Sequence, residues 1–308
     1  MDTLSLAKSY DFFKPEICRE RLHIIGCGSV GSTVAELLVR FGLTKLTLYD
    51  FDKVEPHNLA NQMFRREHIG ESKVEALIGM LGEINPEITS NIKAQPYGYT
   101  GQNLSGYVFL CVDSIELRQK VAKTNQSNPH IKAMFDFRTR LTDAQHYAAD
   151  WSDLKMVEDF IKSMDFTHDE AMAETPVSAC NVALSVAPTV RMICSLGVAN
   201  FVNFAKGEKL KKLILCDAFG FQMSATVDND PKVGFNEWKK LDESRVFFTS
   251  FNKTINSLYV GIPKVNGGVF DDYYDEDGSD IIDKSVNLSN AKLPPATDAA
   301  DDMKDKAD

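Results

Sequence analysis

The sequence has no apolar run long enough to cross a bilayer, so a membrane-embedded protein is not expected. It has no charged N-terminal segment followed by an apolar stretch. No secretory signal is therefore expected, and a cytoplasmic location is the default. It shows no stripe of lysine and arginine, so nucleic acid is not expected as a partner. The six cysteines (Cys18, Cys27, Cys111, Cys180, Cys194 and Cys216) are scattered, and none forms Cys-x-x-Cys. A structural zinc site built from paired cysteines is unavailable, and no zinc is expected. Cys27 and Cys111 stand at apolar strand ends, where buried, reduced thiols are found. The six histidines show no metal-ligand spacing, and His23 falls in an apolar strand as a core or edge residue. No internal repeat is present.

What remains is a globular composition: 308 residues, 44% hydrophobic, with a formal net charge of −10. The charge is unevenly placed. Residues 271–308 hold 12 acidic and 4 basic side chains, a net −8, which leaves −2 on the rest. This acidic stretch is poor in large apolar groups and cannot bury enough surface to offset its ordering entropy. It reads as a flexible, solubilising tail from residue 269 onward. The length suits one large domain with appendages. We expect an N-terminal arm at 1–20, a main domain at 21–230 and a small C-terminal element at 231–268.

Along the main domain, apolar strands alternate with amphipathic helices. Strands are expected near 22–25, 46–50, 91–95 and 107–112, and helices near 30–41, 72–84 and 115–124. That alternation implies right-handed βαβ crossovers and a parallel sheet. After about residue 134 the pattern changes to two strands, 134–141 and 144–149. Their short Thr142-Asp143 turn makes them antiparallel. Residues 151–174 read as a partly helical excursion over the sheet. Pro188 marks a kink or a start in an apolar helical run, and 213–227 as two strands split at Gly220. The expected fold is Rossmann-like and doubly wound, with a mixed sheet: parallel first, antiparallel afterwards.

The most informative stretch is Ile24-Ile25-Gly26-Cys27-Gly28-Ser29-Val30-Gly31. A strand runs straight into Gly-x-Gly-x-x-Gly, and a helix follows. Gly26 permits the tight turn, Gly28 lets the backbone approach a phosphate, and Gly31 lets helix and strand pack closely. Ser29 and Val30 open the helix, whose free N–H groups suit an anion. Asp50 closes the second strand 19 positions after Gly31, where a carboxylate can grip ribose hydroxyls, and Asp52 supports it. Asp113, followed by Ser114, ends the apolar strand before it, at a carboxyl edge where such sheets bind ligands. Asp113 also reads as the N-cap of the next helix. Asp136, Arg138 and Arg140 alternate on one strand; we read that strand as half-solvated, with a substrate carboxylate as the competing use of the arginines.

The ordered set Gly-x-Gly-x-x-Gly, Asp50-Phe51-Asp52, Val54-x-x-x-Asn58-Leu59-x-x-Gln62, Gly70-x-x-Lys73 and Cys111-x-Asp113 resembles the ThiF/MoeB/E1-like adenylyltransferases. These are relatives of ubiquitin-activating enzymes. The likeness is good over about 21–125 and weaker to about 205. It implies an adenylation domain using ATP and Mg²⁺, with the nucleotide held by residues 26–31, Asp50, Asp52, Asn58, Asn61, Gln62 and Ser114. Lys73 would place its charge on the phosphates, and Asp113 would hold Mg²⁺. The implied partner is a ubiquitin-like or sulfur-carrier protein ending in Gly-Gly, and the implied assembly a homodimer. The sequence departs from the commoner family pattern at Asn61, where an arginine is usual; Arg65 or Arg66 could replace it. Cys180, just before the long apolar helix, matches a position that in some members accepts sulfur or acyl groups.

Other readings fit parts of the pattern. An E1-like enzyme could activate a small-molecule or tRNA-linked carboxylate. A non-catalytic E1-like partner subunit would keep the fold without the missing arginine. An NAD-dependent dehydrogenase explains Gly26 to Asp50 but leaves Asn58, Gln62, Lys73 and Asp113 unused.

Overall fold

The computed structural model describes residues 4–167, 170, 184–226, 248–252 and 257–261. The strands of the main body are β1 (Leu22–Ile25), β2 (Leu46–Tyr49), β3 (Lys93–Gln95), β4 (Gly106–Leu110), β5 (Ile131–Thr139), β6 (Asp143–Asp150), β7 (Leu213–Asp217) and β8 (Gln222–Thr226). The helices are α1 (Ser29–Arg40), α2 (Lys73–Ile84), the short α3 (Ile88–Asn91), α4 (Ile115–Thr124), α5 (Leu154–Lys162) and α6 (Ala187–Ala205). The strands form one eight-stranded sheet in the order β3-β2-β1-β4-β5-β6-β7-β8. Pairing is parallel from β3 to β5 and antiparallel from β5 to β8. The change falls across β5, whose one edge is parallel to β4 and whose other is antiparallel to β6. It therefore lies between strands, not at a point in the chain.

The order of connection fixes the layers. From β1 the chain steps to β2 and β3 on one side, whereas β4 and β5 step the other way. Right-handed crossovers then put α1 and α2 on one face and α4 on the opposite one. In agreement, α1 packs on α2 and α6, and α5 packs on α4 and β6. With both faces covered, β1 and β4 are buried at every residue, which is why they read as unbroken apolar runs. The direction of winding reverses between β1 and β4. The crevice beyond their carboxyl ends is where ligands bind in such sheets.

Under α6, an aromatic core ties the two halves of the sheet together. Phe109 and Phe135 stack with centroids 5.0 Å apart, and Phe201 of α6 meets both edge-on at 5.4 and 5.7 Å. Pro188 sits in the first turn of α6 and starts the helix without a kink. Residues 4–21 run as turns with one 3₁₀ turn, Pro15–Ile17. Phe13 is buried edge-on against Phe41 at the end of α1.

The half-solvated reading of β5 fails at Asp136, while Arg138 and Arg140 are half-buried. Asp136 is fully buried, held by Arg118 of α4 and by Arg138, whose Nε lies 2.7 Å from the carboxylate. Arg138 also donates to Ser163 beyond α5 and lies 4.3 Å over the Tyr147 ring. Burial alone would raise the Asp136 pKa; the two guanidiniums reverse that and hold it below the usual carboxylate range. The strand alternates as expected, but Arg118 of α4 and Ser163, just after α5, engage Asp136 and Arg138.

The chain divides into two compact units, Met1–Lys232 and Val233–Asp308. In the second, β9 (Phe248–Asn252) pairs antiparallel with β10 (Ser257–Gly261). The acidic tail expected from residue 269 lies outside the described residues. Among the described residues no helix is long and apolar enough to cross a membrane.

Candidate functional site

The loop joining β1 to α1 lies at the switch point. Gly26 adopts φ +93°, and a Cβ there would stand 2.8 Å from the Cys111 carbonyl oxygen at the end of β4. A Cβ on Gly31 would lie 1.8 Å from the Gly26 oxygen, so only glycine lets α1 start this close to the turn. At Gly28 the space is open, with Gln62 Nε2 4.0 Å away as the nearest atom. An anion could approach that backbone directly. Ser29 and Val30 follow as the first residues of α1. Cys27, within the loop, is fully buried, and burial pushes its thiol pKa well up. It packs and does not react.

Asp50, at the end of β2, is buried beneath the loop. One of its oxygens accepts from the Cys27 N–H at 2.7 Å and the other from the Asp52 N–H at 2.9 Å. Its pKa is nevertheless raised, because burial outweighs both hydrogen bonds. Asp52 lends its backbone N–H to Asp50, and its carboxylate has a second task. It accepts from Lys73 Nζ at 2.8 Å. The Lys73 side chain is only 9% exposed, so it is not a surface lysine. It is carried there by a short antiparallel contact: Lys53 bridges Ser72, and the Lys73 N–H donates to the Asp52 carbonyl at 3.0 Å. Nothing in the residue pattern signals that bridge.

The next segment closes the site from the side. Asn58 is buried in the 3₁₀ turn Pro56–Ala60, and its Oδ1 accepts from the Glu55 N–H at 2.9 Å. Asn61 caps that turn. Gln62 stands with its Nε2 towards Gly28, and its buried Oε1 has no hydrogen-bond partner among the described residues. Met63, next along, donates its N–H to Ser32 of α1 at 3.4 Å. Arg65 does not turn to the loop. Its guanidinium pairs with Glu83 in the last turn of α2 at 3.2 Å and with Glu67 at 3.6 Å. Arg66 opens the following 3₁₀ turn, exposed.

On the β4 side, Asp113 is exposed and makes no hydrogen bond or ion pair among the described residues. The N-cap of α4 is Ser114, whose hydroxyl accepts from the Leu117 N–H at 3.1 Å. That corrects the capping role expected for Asp113: the helix starts one residue later, and Asp113 is left available. Arg118 donates to the Val112 carbonyl and, at 2.8 Å, to that of Phe137. It thereby ties the Asp113 turn to β5, a role that its place on a helix does not signal. Among the described residues no group of three His, Cys, Asp or Glu side chains could hold a metal alone. Cys180 lies outside the described residues.

The ThiF family profile matches residues 13–233, most of the chain. This chain belongs to the ThiF family. Curated relatives include the ubiquitin-like modifier-activating enzyme 5 of Bombyx mori, 36% identical over 123 residues, 34% of this chain and 31% of the relative. The enzyme of that name in Drosophila grimshawi is 32% identical over 145 residues, 42% of this chain and 35% of the relative. The match thus spans about a third of the length of these relatives. Among solved structures, E. coli MccB with ATP superposes with a TM-score of 0.51 at 16% identity, covering 71% of this chain and 67% of that one. PaaA superposes with a TM-score of 0.51 at 15% identity, covering 68% and 65%. These two show a shared ThiF-type fold.

Proposed function

We propose that this ThiF-family chain is an ATP-dependent adenylyltransferase. It activates the C-terminal carboxylate of a ubiquitin-like or sulfur-carrier protein. The observation that carries the reading is the convergence, at one sheet edge, of the open glycine loop, buried Asp50 and buried Lys73. The site suits a nucleoside triphosphate. Gly28 leaves its backbone open, Asp50 has lone pairs left for ribose hydroxyls, and the Gln62 amide nitrogen, a donor, stands beside Gly28. The modifier-activating names of the relatives, and the MccB crystal containing ATP, point the same way.

The carboxylate oxygen attacks the α-phosphorus, the bond to the β-phosphate breaks, and pyrophosphate leaves. Charge builds on the phosphates, so this chain contributes mainly position and electrostatics. The α1 N-terminus and Lys73 hold the phosphates, and Asp50 fixes the ribose. Lys73 reaches them by exchanging its pair with half-exposed Asp52. Magnesium fits as an ion borne by the nucleotide, with Asp113 as one oxygen ligand, since Mg²⁺ is commonly bound by one or two carboxylates plus phosphates. When bound it neutralises charge on the leaving phosphates. Transfer to Cys180 and homodimer formation belong to this proposal by family resemblance alone.

Incubation with ATP, Mg²⁺ and a panel of small proteins ending in Gly-Gly tests the reading. It expects pyrophosphate–ATP exchange that depends on one of them. ATP binding with no exchange on any carboxylate would favour the partner-subunit reading, which the diversion of Arg65 onto Glu83 independently suggests. Exchange driven by a small molecule would move the substrate to that class.

A further inference from the structure

The candidate site is short of positive charge. A nucleoside triphosphate brings three to four negative charges, yet the only buried cation at the loop among the described residues is Lys73, already paired with Asp52. The neighbouring arginines are engaged elsewhere: Arg65 with Glu83, Arg118 with Asp136, and Arg21 with the carbonyls of Leu46 and Asn91. Arg191 is different. It is the one charged residue in the nineteen-residue helix α6. It stands in the second turn of that helix. One turn on, Cys194 Sγ meets the Val30 carbonyl at 3.6 Å, so this end of α6 abuts the first turn of α1.

The partners of Arg191 are weak. Its Nη1 lies 2.8 Å from the Met63 thioether sulfur and 3.6 Å from Glu36. Glu36 already has Arg40 at 2.8 Å. A thioether is a poor acceptor. The side chain is 41% exposed and touches the residue next to Gln62, which flanks Gly28. The geometry points to Arg191 as the guanidinium that meets the phosphates of the bound nucleotide. A bidentate contact to phosphate oxygens is stronger than its present ones. The inference rests on the ATP reading above.

Calorimetry on the full chain tests it, using a non-hydrolysable ATP analogue with Mg²⁺ and, by competition, adenosine. Arg191→Met keeps the aliphatic stem and the contact with Met63; thermal midpoints without nucleotide check its folding. Affinity for the analogue should fall about 10- to 100-fold, the worth of a charge-assisted contact. Adenosine should bind as before, and Arg191→Lys should recover part of the loss. Analogue affinity within twofold of the unaltered chain overturns the inference and leaves the ATP reading intact. So does an equal loss for adenosine, which would mean a structural role. Absence of analogue binding by the unaltered chain, at millimolar concentration, removes the ATP reading and the inference together.

Discussion

Lys73 and Asp113 are the two side chains whose surroundings most narrow their use. Lys73 is held out of water by α2 and tied to one half-exposed carboxylate. Replacing it with methionine removes a desolvated charge and frees Asp52 to water, so stability should shift by less than about 1 kcal/mol. Affinity for an ATP analogue should nevertheless drop at least about tenfold. A large fall in thermal midpoint with unchanged affinity would make Lys73 a packing residue. Asp113 offers the opposite case, an exposed carboxylate that nothing in the described residues engages. Asp113→Asn should leave folding untouched and shift the Mg²⁺ dependence of exchange to higher concentration, read from Mg²⁺ titrations at fixed ATP. The residue types at these positions were legible because each stands beside a strand end or a helix start. The Asp52–Lys73 pair was not, because a single antiparallel bridge, Lys53 to Ser72, leaves no periodic trace. Arg118 was hidden too, since a helix arginine reads as solvated until its partner strand is placed.

At the scale of elements, the glycine loop and α1 are the strictest constraint. Gly31→Ala would force a carbon within 1.8 Å of a backbone oxygen that cannot retreat, because β1 is fixed by β2 and β4 on its two edges. A loss of about 3 kcal/mol or more is expected, visible as a lowered urea midpoint. Ser114→Ala should cost only about 1 kcal/mol, the usual worth of an N-cap, and equal costs for the two would contradict the geometry. The strands β1, β2 and β4 were readable because burial on both faces makes them continuously apolar. The place where the sheet turns antiparallel was readable to within a few residues, from the short turn between β5 and β6. The burial of β5 was not: alternation of charged side chains on a strand looks the same whether they face water or a salt-bridged interior.

The whole molecule carries buried histidines that make its stability depend on pH. His23, hydrogen-bonded to the Tyr49 hydroxyl at 2.8 Å, and His146, stacked on Phe135, are each pushed by burial down to about 4. The unfolded chain binds those protons near pH 6.5 and the folded chain does not. Stability from these groups is thus full above about pH 6.5 and lost as pH falls toward 4. With both titrating, the slope approaches about 2.7 kcal/mol per pH unit in the steepest part of that window. Urea denaturation at pH 7 and pH 5 measures it. His146→Gln should flatten the difference by about half, and an equally steep loss in that variant would mean other groups carry it.

The most direct measurement is a crystal structure of the full chain with a non-hydrolysable ATP analogue and Mg²⁺. The triphosphate should lie over residues 26–31 at the carboxyl ends of β1 and β4, with Asp50 on the ribose, Lys73 turned from Asp52 to the phosphates and Asp113 beside the metal. A nucleotide bound elsewhere, or one seated there with Lys73 still on Asp52 and Asp113 facing away, would contradict the assignment.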